Sequence, residues 1–231
     1  MNNEYFGKLF SILGDSVSTL EGYSQPSGAE YYRDTRMLTA EVYLPEYTWW
    51  GQVIEELKGE LLVNNSISGS MVCKHKDCLI PSYSCSDERT SSLSNNATLP
   101  DVIMVYMGTN DWGHGMKLTP ENEMEKDDLS IFSVAYETML KKLKENYKNA
   151  EIWCFTLSVS GYKNGKGISF PYEFGGVHIE KYCNVIRECA QSYNCRIIDL
   201  YRYAEPFDTV DGFHPNASGM EKIAKGVLCQ L

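Results

Sequence analysis

Two segments far apart in the sequence carry side chains that could together perform acyl transfer. Ser16 ends the run LGDS, a turn of small residues that would present its hydroxyl, and Asp211 lies three residues before His214 in the run DGFHP. A serine hydroxyl needs a base to take its proton, an imidazole can serve as that base, and a carboxylate can orient the imidazole. The pattern predicts Ser16 as nucleophile, His214 as base and Asp211 as the group that orients the base.

Two further segments supply groups that could bind the oxygen of a reacting carbonyl. Gly69 ends the run SISG, and a glycine allows the backbone to approach a ligand closely. Asn110 lies in the run GTND, and its side-chain amide is a neutral hydrogen-bond donor. Taken singly, each of the four segments has a structural alternative as a helix cap, a turn or a solvated surface position. The functional interpretation depends on their occurrence together.

Two acidic residues next to the candidate site residues offer an alternative orienting group. Asp15 precedes Ser16, and Asp111 follows Asn110. Either carboxylate could orient a base, but aspartate is also favoured at helix caps and in turns. We therefore expect structural roles for Asp15 and Asp111.

The elements that must position these residues follow an alternating pattern. Five short apolar runs predict buried strands, at residues 8–13, 61–65, 101–107, 151–157 and 196–200. Four stretches have apolar residues at helical spacing, at residues 47–59, 129–147, 177–192 and 217–228. The alternation predicts a single three-layer α/β/α domain over residues 1–231, with a five-stranded parallel sheet. Ligands bind such sheets beyond the carboxyl ends of the strands, which is where the candidate residues fall.

The four segments occur in the order of the four sequence blocks of the SGNH (GDSL) hydrolase family, which the chain resembles. The family is named after a serine, a glycine, an asparagine and a histidine, and these match Ser16, Gly69, Asn110 and His214. Val17 departs from the leucine of the Gly-Asp-Ser-Leu signature. The resemblance implies a flavodoxin-like SGNH fold and a Ser-His-Asp triad. It also implies an oxyanion hole made of the backbone N–H groups of Ser16 and Gly69 and the Asn110 amide, with no metal or organic cofactor.

The segments between the blocks are expected to shape the substrate pocket. Residues 70–100, 113–127 and 160–176 match no pattern, and residues 82–99, rich in Ser and Asn, are interpreted as a surface loop. Trp112 follows the third block directly and His114 lies four residues beyond Asn110, and we expect both to contact the substrate. The alternative for His114 is a solvated histidine in a loop.

The expected reaction is hydrolysis of short-chain acyl esters, including O-acetyl groups on carbohydrate, through an acyl-enzyme on Ser16. A thioesterase, a lysophospholipase or lipase, and an enzyme that transfers the acyl group to an alcohol would use the same groups, so these alternatives stay open. The alternative from another class is a flavodoxin-like module that binds a small ligand without catalysis. Loss of Ser16 would abolish turnover in an enzyme and leave affinity nearly intact in a binding module.

Composition disfavours several classes of partner. The formal net charge of −10 repels a nucleic acid backbone, and no run of about 18 apolar residues is available for membrane insertion. Residues 1–10 lack the long apolar stretch of a signal peptide, so we expect a cytoplasmic protein. The sequence does not indicate an oligomeric state.

The eight cysteines are expected to be reduced thiols, because a chain of 231 residues can bury a core without disulfides. Four residues form a loose cluster that offers an alternative as a zinc site: Cys73, His75, Cys78 and Cys85. Their irregular spacing lacks a Cys-x-x-Cys pair, which disfavours zinc.

Overall fold

A five-stranded sheet forms the centre of the molecule in a computed structural model that describes residues 4–75 and 83–231. With strands numbered along the chain, its members are β1 (Leu9–Gly14), β2 (Glu60–Ser66), β3 (Val102–Tyr106), β4 (Glu151–Phe155) and β9 (Arg196–Ile198). All neighbouring strands in it are parallel, in the order β2-β1-β3-β4-β9. This is the flavodoxin-like order of a doubly wound sheet, and it confirms the predicted fold class.

Helices cover both faces of this sheet. The described α-helices are α1 (Asp34–Ala40), α2 (Trp49–Glu56), α3 (Asp87–Ser91), α4 (Thr109–Gly113), α5 (Phe132–Asn146), α6 (Ile179–Ser192), α7 (Leu200–Tyr203) and α8 (Ala217–Leu228). Successive strand residues point to opposite faces. Ile103 of β3 therefore packs in the core with α5 and α6, and the next residue, Met104, packs in the core with α2 and α8. No helix in the described ranges is both long enough and apolar enough to cross a membrane.

Short strands form two smaller sheets. β10 (Phe207–Thr209), β5 (Ser160–Lys163) and β6 (Lys166–Gly167) form a three-stranded sheet, and β7 (Glu173–Phe174) pairs with β8 (Val177–His178) as an antiparallel hairpin. Three 3-10 helices complete the described elements: Ser16–Ser18, Pro45–Tyr47 and Glu123–Glu125. The strands within residues 160–176 are only two to four residues long, too short to carry a readable alternation, which is why this segment matched no pattern in the sequence.

The prediction of a surface loop over residues 82–99 is wrong for part of the segment that the structure describes. It contains α3, and Arg89 within this helix is only 2% exposed. Ser86 caps α3 by accepting a hydrogen bond from the backbone N–H of Arg89. The segment is rich in Ser and Asn because these residues serve caps and turns, whereas the burial of Arg89 results from tertiary hydrogen bonds that composition does not reveal.

The register of the sheet aligns the ends of three strands that carry site residues. Gly14 at the end of β1 pairs with Ser66 of β2 on one side and with Tyr106 of β3 on the other. The loops that follow these strands therefore leave the sheet at one level and on one edge. This arrangement brings the first three sequence blocks together.

Candidate active site

Ser16 lies in the first turn beyond β1. Asp15 caps the 3-10 helix Ser16–Ser18 by accepting a hydrogen bond from a backbone N–H within that helix at 3.0 Å. Gly14 allows the chain to pass closely by β2, since a Cβ atom at this position would lie 2.5 Å from the Oγ of Ser66. The turn leaves Ser16 only 6% exposed.

His214 and Asp211 reach Ser16 from the loop between β10 and α8. The Nε2 atom of His214 lies 2.9 Å from the Oγ of Ser16, and its Nδ1 atom lies 2.7 Å from the Oδ2 of Asp211. The Oδ1 of Asp211 accepts the backbone N–H groups of His214 at 2.9 Å and of Phe213 at 3.0 Å. The structure thus brings the three residues into one hydrogen-bonded chain, while their catalytic roles stay a prediction.

The electrostatics of Asp211 favour a permanently ionised carboxylate. Partial burial opposes ionisation, but hydrogen bonds from the ring and backbone of His214 and from the backbone of Phe213 outweigh it and hold the pKa of Asp211 well below its usual range. A negative charge beside Nδ1 favours the tautomer in which Nδ1 carries the proton. The Nε2 atom is then free to accept the proton of Ser16.

Tyr31 completes this group, although no motif indicated it. Its hydroxyl donates to the Oδ2 of Asp211 at 2.8 Å, and its ring stacks on the imidazole of His214 with centroids 3.5 Å apart and planes 8° apart. Burial, followed by the hydrogen bond to Asp211, raises the pKa of Tyr31, so its hydroxyl stays protonated as a donor. Tyr31 is one of sixteen tyrosines in the chain, and nothing in its sequence context distinguishes it from the others.

The candidate oxyanion donors come from the turn at Ser16 and from the loops after β2 and β3. Gly69 has φ +76°, a left-handed conformation that favours glycine. The backbone N–H groups of Ser16 and Gly69 donate to no acceptor within residues 4–75 and 83–231. The amide of Asn110 donates to the carbonyl oxygen of Ser70 at 2.9 Å, which occupies one of its two N–H groups. That these groups bind an oxyanion stays a prediction.

Arg89 lies behind these loops and ties them together. Its guanidinium donates to the backbone oxygen of Gly14 at 3.2 Å, to that of Asn65 at 2.9 Å and to the Oγ of Ser70 at 2.8 Å. One buried side chain therefore fixes the ends of β1 and β2 relative to each other. Burial lowers the pKa of Arg89 to about 10, which still leaves the guanidinium charged at neutral pH.

A cavity of about 290 Å³ opens beside Ser16 and His214. Its other lining residues are Val17, Thr109, Asn110, Trp112, Gly113, His114, Phe174 and Phe213. The ring centroids of Trp112 and Phe174 are 4.6 Å apart, and those of Phe174 and Phe213 are 6.0 Å apart. One side of the cavity is therefore an aromatic wall, which we define as Trp112, Phe174 and Phe213.

The two residues expected to contact substrate both line this cavity. Trp112 is 1% exposed, and its indole N–H donates to the backbone oxygen of Val177 at 3.2 Å, which fixes the ring in place. His114 is exposed, and its Nδ1 lies 2.8 Å from the backbone oxygen of Asn110. Contact of Trp112 and His114 with a substrate stays a prediction. Sequence reasoning missed Phe174, which lies in the unassigned segment.

Asp15 and Asp111 act as buried hydrogen-bond acceptors for the backbone. Asp111 accepts hydrogen bonds from the N–H groups of Val72 and Cys73, both at 2.9 Å, and Asp15 caps the turn that carries Ser16. Burial raises the pKa of Asp15 to about 6 and also raises the pKa of Asp111. The ring nitrogens of His214 bond to other partners, so Asp211 is the carboxylate placed to orient this ring.

The described cysteines are free thiols: Cys73, Cys85, Cys154, Cys183, Cys189, Cys195 and Cys229. Cys78 of the alternative zinc cluster lies outside the described residues. Within the described residues, no group of three or more His, Cys, Asp or Glu side chains is arranged to hold a metal ion.

Sequence comparison connects this chain to esterases. The family model for GDSL-like lipases and acylhydrolases matches residues 8–163. The chain is also similar to a multidomain esterase from Ruminococcus flavefaciens, with 28% identity over 137 residues. That match covers 57% of this chain and 16% of the relative, so the chain corresponds to a small part of the relative's length.

Structural comparison extends the likeness over nearly the whole chain. Proteins assigned as GDSL-like lipases from Bacteroides ovatus and Bacteroides uniformis each match with TM-score 0.71 and 28% identity, covering 96% of this chain and 97% and 93% of theirs. A carbohydrate acetylesterase from Sinorhizobium meliloti, 14% identical, shares the fold with TM-score 0.63 over 95% of this chain and 96% of its own. As its four sequence blocks predicted, the chain belongs to the GDSL-like lipase/acylhydrolase family, the SGNH hydrolases.

Proposed function

We propose that this chain is a serine ester hydrolase that removes short acyl groups through an acyl-enzyme on Ser16. The observation that carries the proposal is the hydrogen-bonded chain from the Ser16 hydroxyl through the His214 ring to the Asp211 carboxylate, at the edge of the 290 Å³ cavity. A module that only binds ligands has no need for a nucleophile, a base and an acid in direct contact.

Acylation starts when the Ser16 Oγ attacks the carbonyl carbon of the ester while His214 Nε2 takes the hydroxyl proton. As the Oγ–C bond forms, the π electrons of the carbonyl move onto its oxygen, which becomes an oxyanion. The backbone N–H groups of Ser16 and Gly69 and the amide of Asn110 are the donors proposed for this oxygen. Collapse of the intermediate re-forms the carbonyl and breaks the bond between the acyl carbon and the alcohol oxygen, which takes the proton from Nε2 and leaves as the alcohol.

Deacylation repeats these steps with water as the nucleophile. His214 takes a proton from the attacking water as the water oxygen bonds to the acyl carbon. The bond between this carbon and Ser16 Oγ then breaks, Nε2 returns the proton to Oγ, and the carboxylic acid leaves. Asp211 stays ionised in both half-reactions because its pKa is low, so it stabilises the imidazolium without accepting the proton. The proposed steps use only groups of this chain and water.

The cavity supports a short acyl group and a compact alcohol moiety. Its volume of about 290 Å³ is just below the range of roughly 300–1,000 Å³ for small-molecule sites. Phe174 and Phe213, the partly exposed members of the aromatic wall, offer apolar ring surface against which the apolar face of a sugar can pack. We therefore propose O-acetyl groups on carbohydrate as the substrate, a proposal that the names of the multidomain esterase and the carbohydrate acetylesterase support.

The proposal is tested by hydrolysis of p-nitrophenyl esters from acetate to long acyl chains, followed by an acetylated xylo-oligosaccharide. We expect the highest kcat/KM on acetate and loss of turnover in Ser16→Ala. Ser91→Ala, which removes an exposed hydroxyl on α3, is the matched control and should behave as the wild type. Full activity in Ser16→Ala would overturn the mechanism. A preference for long chains, or for a thioester over the matched ester, would replace the short-chain ester as substrate and identify a lipase or a thioesterase.

A further inference from the structure

The carboxylate of Asp211 depends on Tyr31 for a complete set of hydrogen bonds. Its Oδ1 accepts hydrogen bonds from two backbone N–H groups. Its Oδ2 lies 2.7 Å from Nδ1 of His214 and accepts a hydrogen bond from the hydroxyl of Tyr31 at 2.8 Å. The side chain of Asp211 is still 42% exposed. Without the tyrosine hydroxyl, water would compete for Oδ2 and the carboxylate could turn away from the imidazole.

The stacking contact of Tyr31 restrains the ring of His214. The planes of the Tyr31 and His214 rings are 8° apart at a centroid distance of 3.5 Å, which is van der Waals contact over the whole imidazole. Rotation of the imidazole about its Cβ–Cγ bond would drive it into the phenol ring. Tyr31 therefore limits the ring of His214 to the orientation in which Nε2 faces Ser16.

Tyr31 is itself fixed to the turn that carries the nucleophile. The backbone N–H of Tyr31 donates to the Oγ1 of Thr19 at 2.9 Å, and the same hydroxyl donates to the backbone oxygen of Ser16 at 2.8 Å. The next residue, Tyr32, donates to the backbone oxygen of Pro215 at 2.7 Å. The segment around Tyr31 thus bridges the Ser16 turn and the loop that carries the base.

We propose that Tyr31 is a positioning residue that holds His214 and Asp211 in the orientation needed for proton transfer from Ser16. The inference rests on the proposed function of these three residues. The role of Tyr31 is in turnover rather than in substrate binding, because Tyr31 contacts His214 and Asp211 but does not line the cavity.

Kinetics of two variants separate the two contacts. Tyr31→Phe keeps the stacked ring and loses the hydrogen bond to Asp211, and it should lower kcat about tenfold with little change in KM, since a bond to a charged group is lost. Tyr31→Leu loses both contacts and should lower kcat about a hundredfold. Tyr147→Phe is the control: it removes a buried hydroxyl that accepts the N–H of Leu93 remote from the site, and kcat should not change.

Proton NMR of the histidine ring N–H groups gives a readout that does not require turnover. The Nδ1–H of His214, identified by its loss in Asp211→Asn, should resonate downfield in the wild type, and it should move upfield and exchange faster with water in Tyr31→Phe. Wild-type kcat and an unchanged resonance in this variant would overturn the inference, even if Tyr31→Leu does not fold. If Ser16→Ala keeps full activity, the proposed function fails, and the resonance still decides whether Tyr31 orients the pair.

Discussion

The carboxylate of Asp211 holds both the ring and the backbone of His214. Its Oδ2 lies 2.7 Å from Nδ1 of the imidazole, and its Oδ1 accepts the backbone N–H of the same residue at 2.9 Å. Gly212, with φ +107°, lets the chain turn tightly enough for the three-residue spacing to make both bonds. The loop therefore supplies two of the bonds that orient His214, and Tyr31 contacts the same pair from a distant segment.

Substitution of Asp211 by asparagine should remove most of the effect of Asp211 on the tautomer and charge of the His214 ring. An amide can offer its N–H₂ group to Nδ1, which favours the wrong tautomer of His214, and the stabilisation of the imidazolium is lost. We expect kcat to fall by roughly a thousandfold or more with little change in KM. Asp101→Asn, at the opposite end of the sheet, is the control, and its kcat should match the wild type. A kcat in Asp211→Asn close to that of the wild type would rule out the orienting role.

Asn110→Ala tests the proposed oxyanion hole. The alanine removes the amide donor and also the bond to the backbone oxygen of Ser70. We expect kcat to drop roughly a hundredfold while KM changes modestly, because an oxyanion exists only in the transition state and intermediate. Steady-state kinetics on p-nitrophenyl acetate measure both parameters. An equal loss of binding and rate would instead place Asn110 in substrate recognition.

Phe213→Ala tests the aromatic wall. Phe213 is 37% exposed and lines the cavity from the loop between Asp211 and His214. Because an apolar contact stabilises bound substrate and transition state alike, KM should rise about fivefold with kcat nearly unchanged. Phe6→Ala, at an exposed phenylalanine that does not line the cavity, should leave both parameters unchanged. An unaltered KM on every ester tested would remove Phe213 from the substrate site.

The raised pKa of Asp15 predicts that the free energy of unfolding depends on pH. Burial raises its pKa to about 6 from an ordinary 3.8, so the folded state prefers the protonated acid. The contribution of Asp15 to the free energy of unfolding is present in full below pH 3.8. It is lost as the pH rises through about 6, which lowers the free energy of unfolding by ~3 kcal/mol. Asp15→Asn keeps an acceptor for the cap and removes the buried charge. Urea unfolding should therefore show the variant to be more stable than the wild type at pH 8, with the difference vanishing near pH 4.

The central sheet and the sequence blocks could be predicted because each leaves a local signal. Strands buried on both faces appear as short apolar runs, and the five predicted runs overlap the five strands of the central sheet. The carboxyl ends of parallel strands lie on one edge, so the loops bearing Ser16 and Asn110 could be placed together without knowledge of the side-chain geometry.

The remaining parts depend on contacts between distant segments. Tyr31 and Asp211 are 180 positions apart, and a single tyrosine in an irregular segment carries no periodicity. Phe174 lies in a strand of two residues, too short for an alternating pattern. Arg89 is buried because its guanidinium donates to backbone oxygens at the ends of β1 and β2. These acceptors are distant in sequence and reach Arg89 only in the folded chain.

Trapping of the acyl-enzyme is the most direct test of the account. The enzyme is mixed with p-nitrophenyl acetate, quenched in acid during the first turnovers, digested and examined by mass spectrometry. We predict one acetyl group on the peptide that contains Ser16 and no modified peptide in Ser16→Ala. Turnover of the ester by Ser16→Ala at the wild-type rate, or an acetyl group on a different residue during turnover, would contradict it.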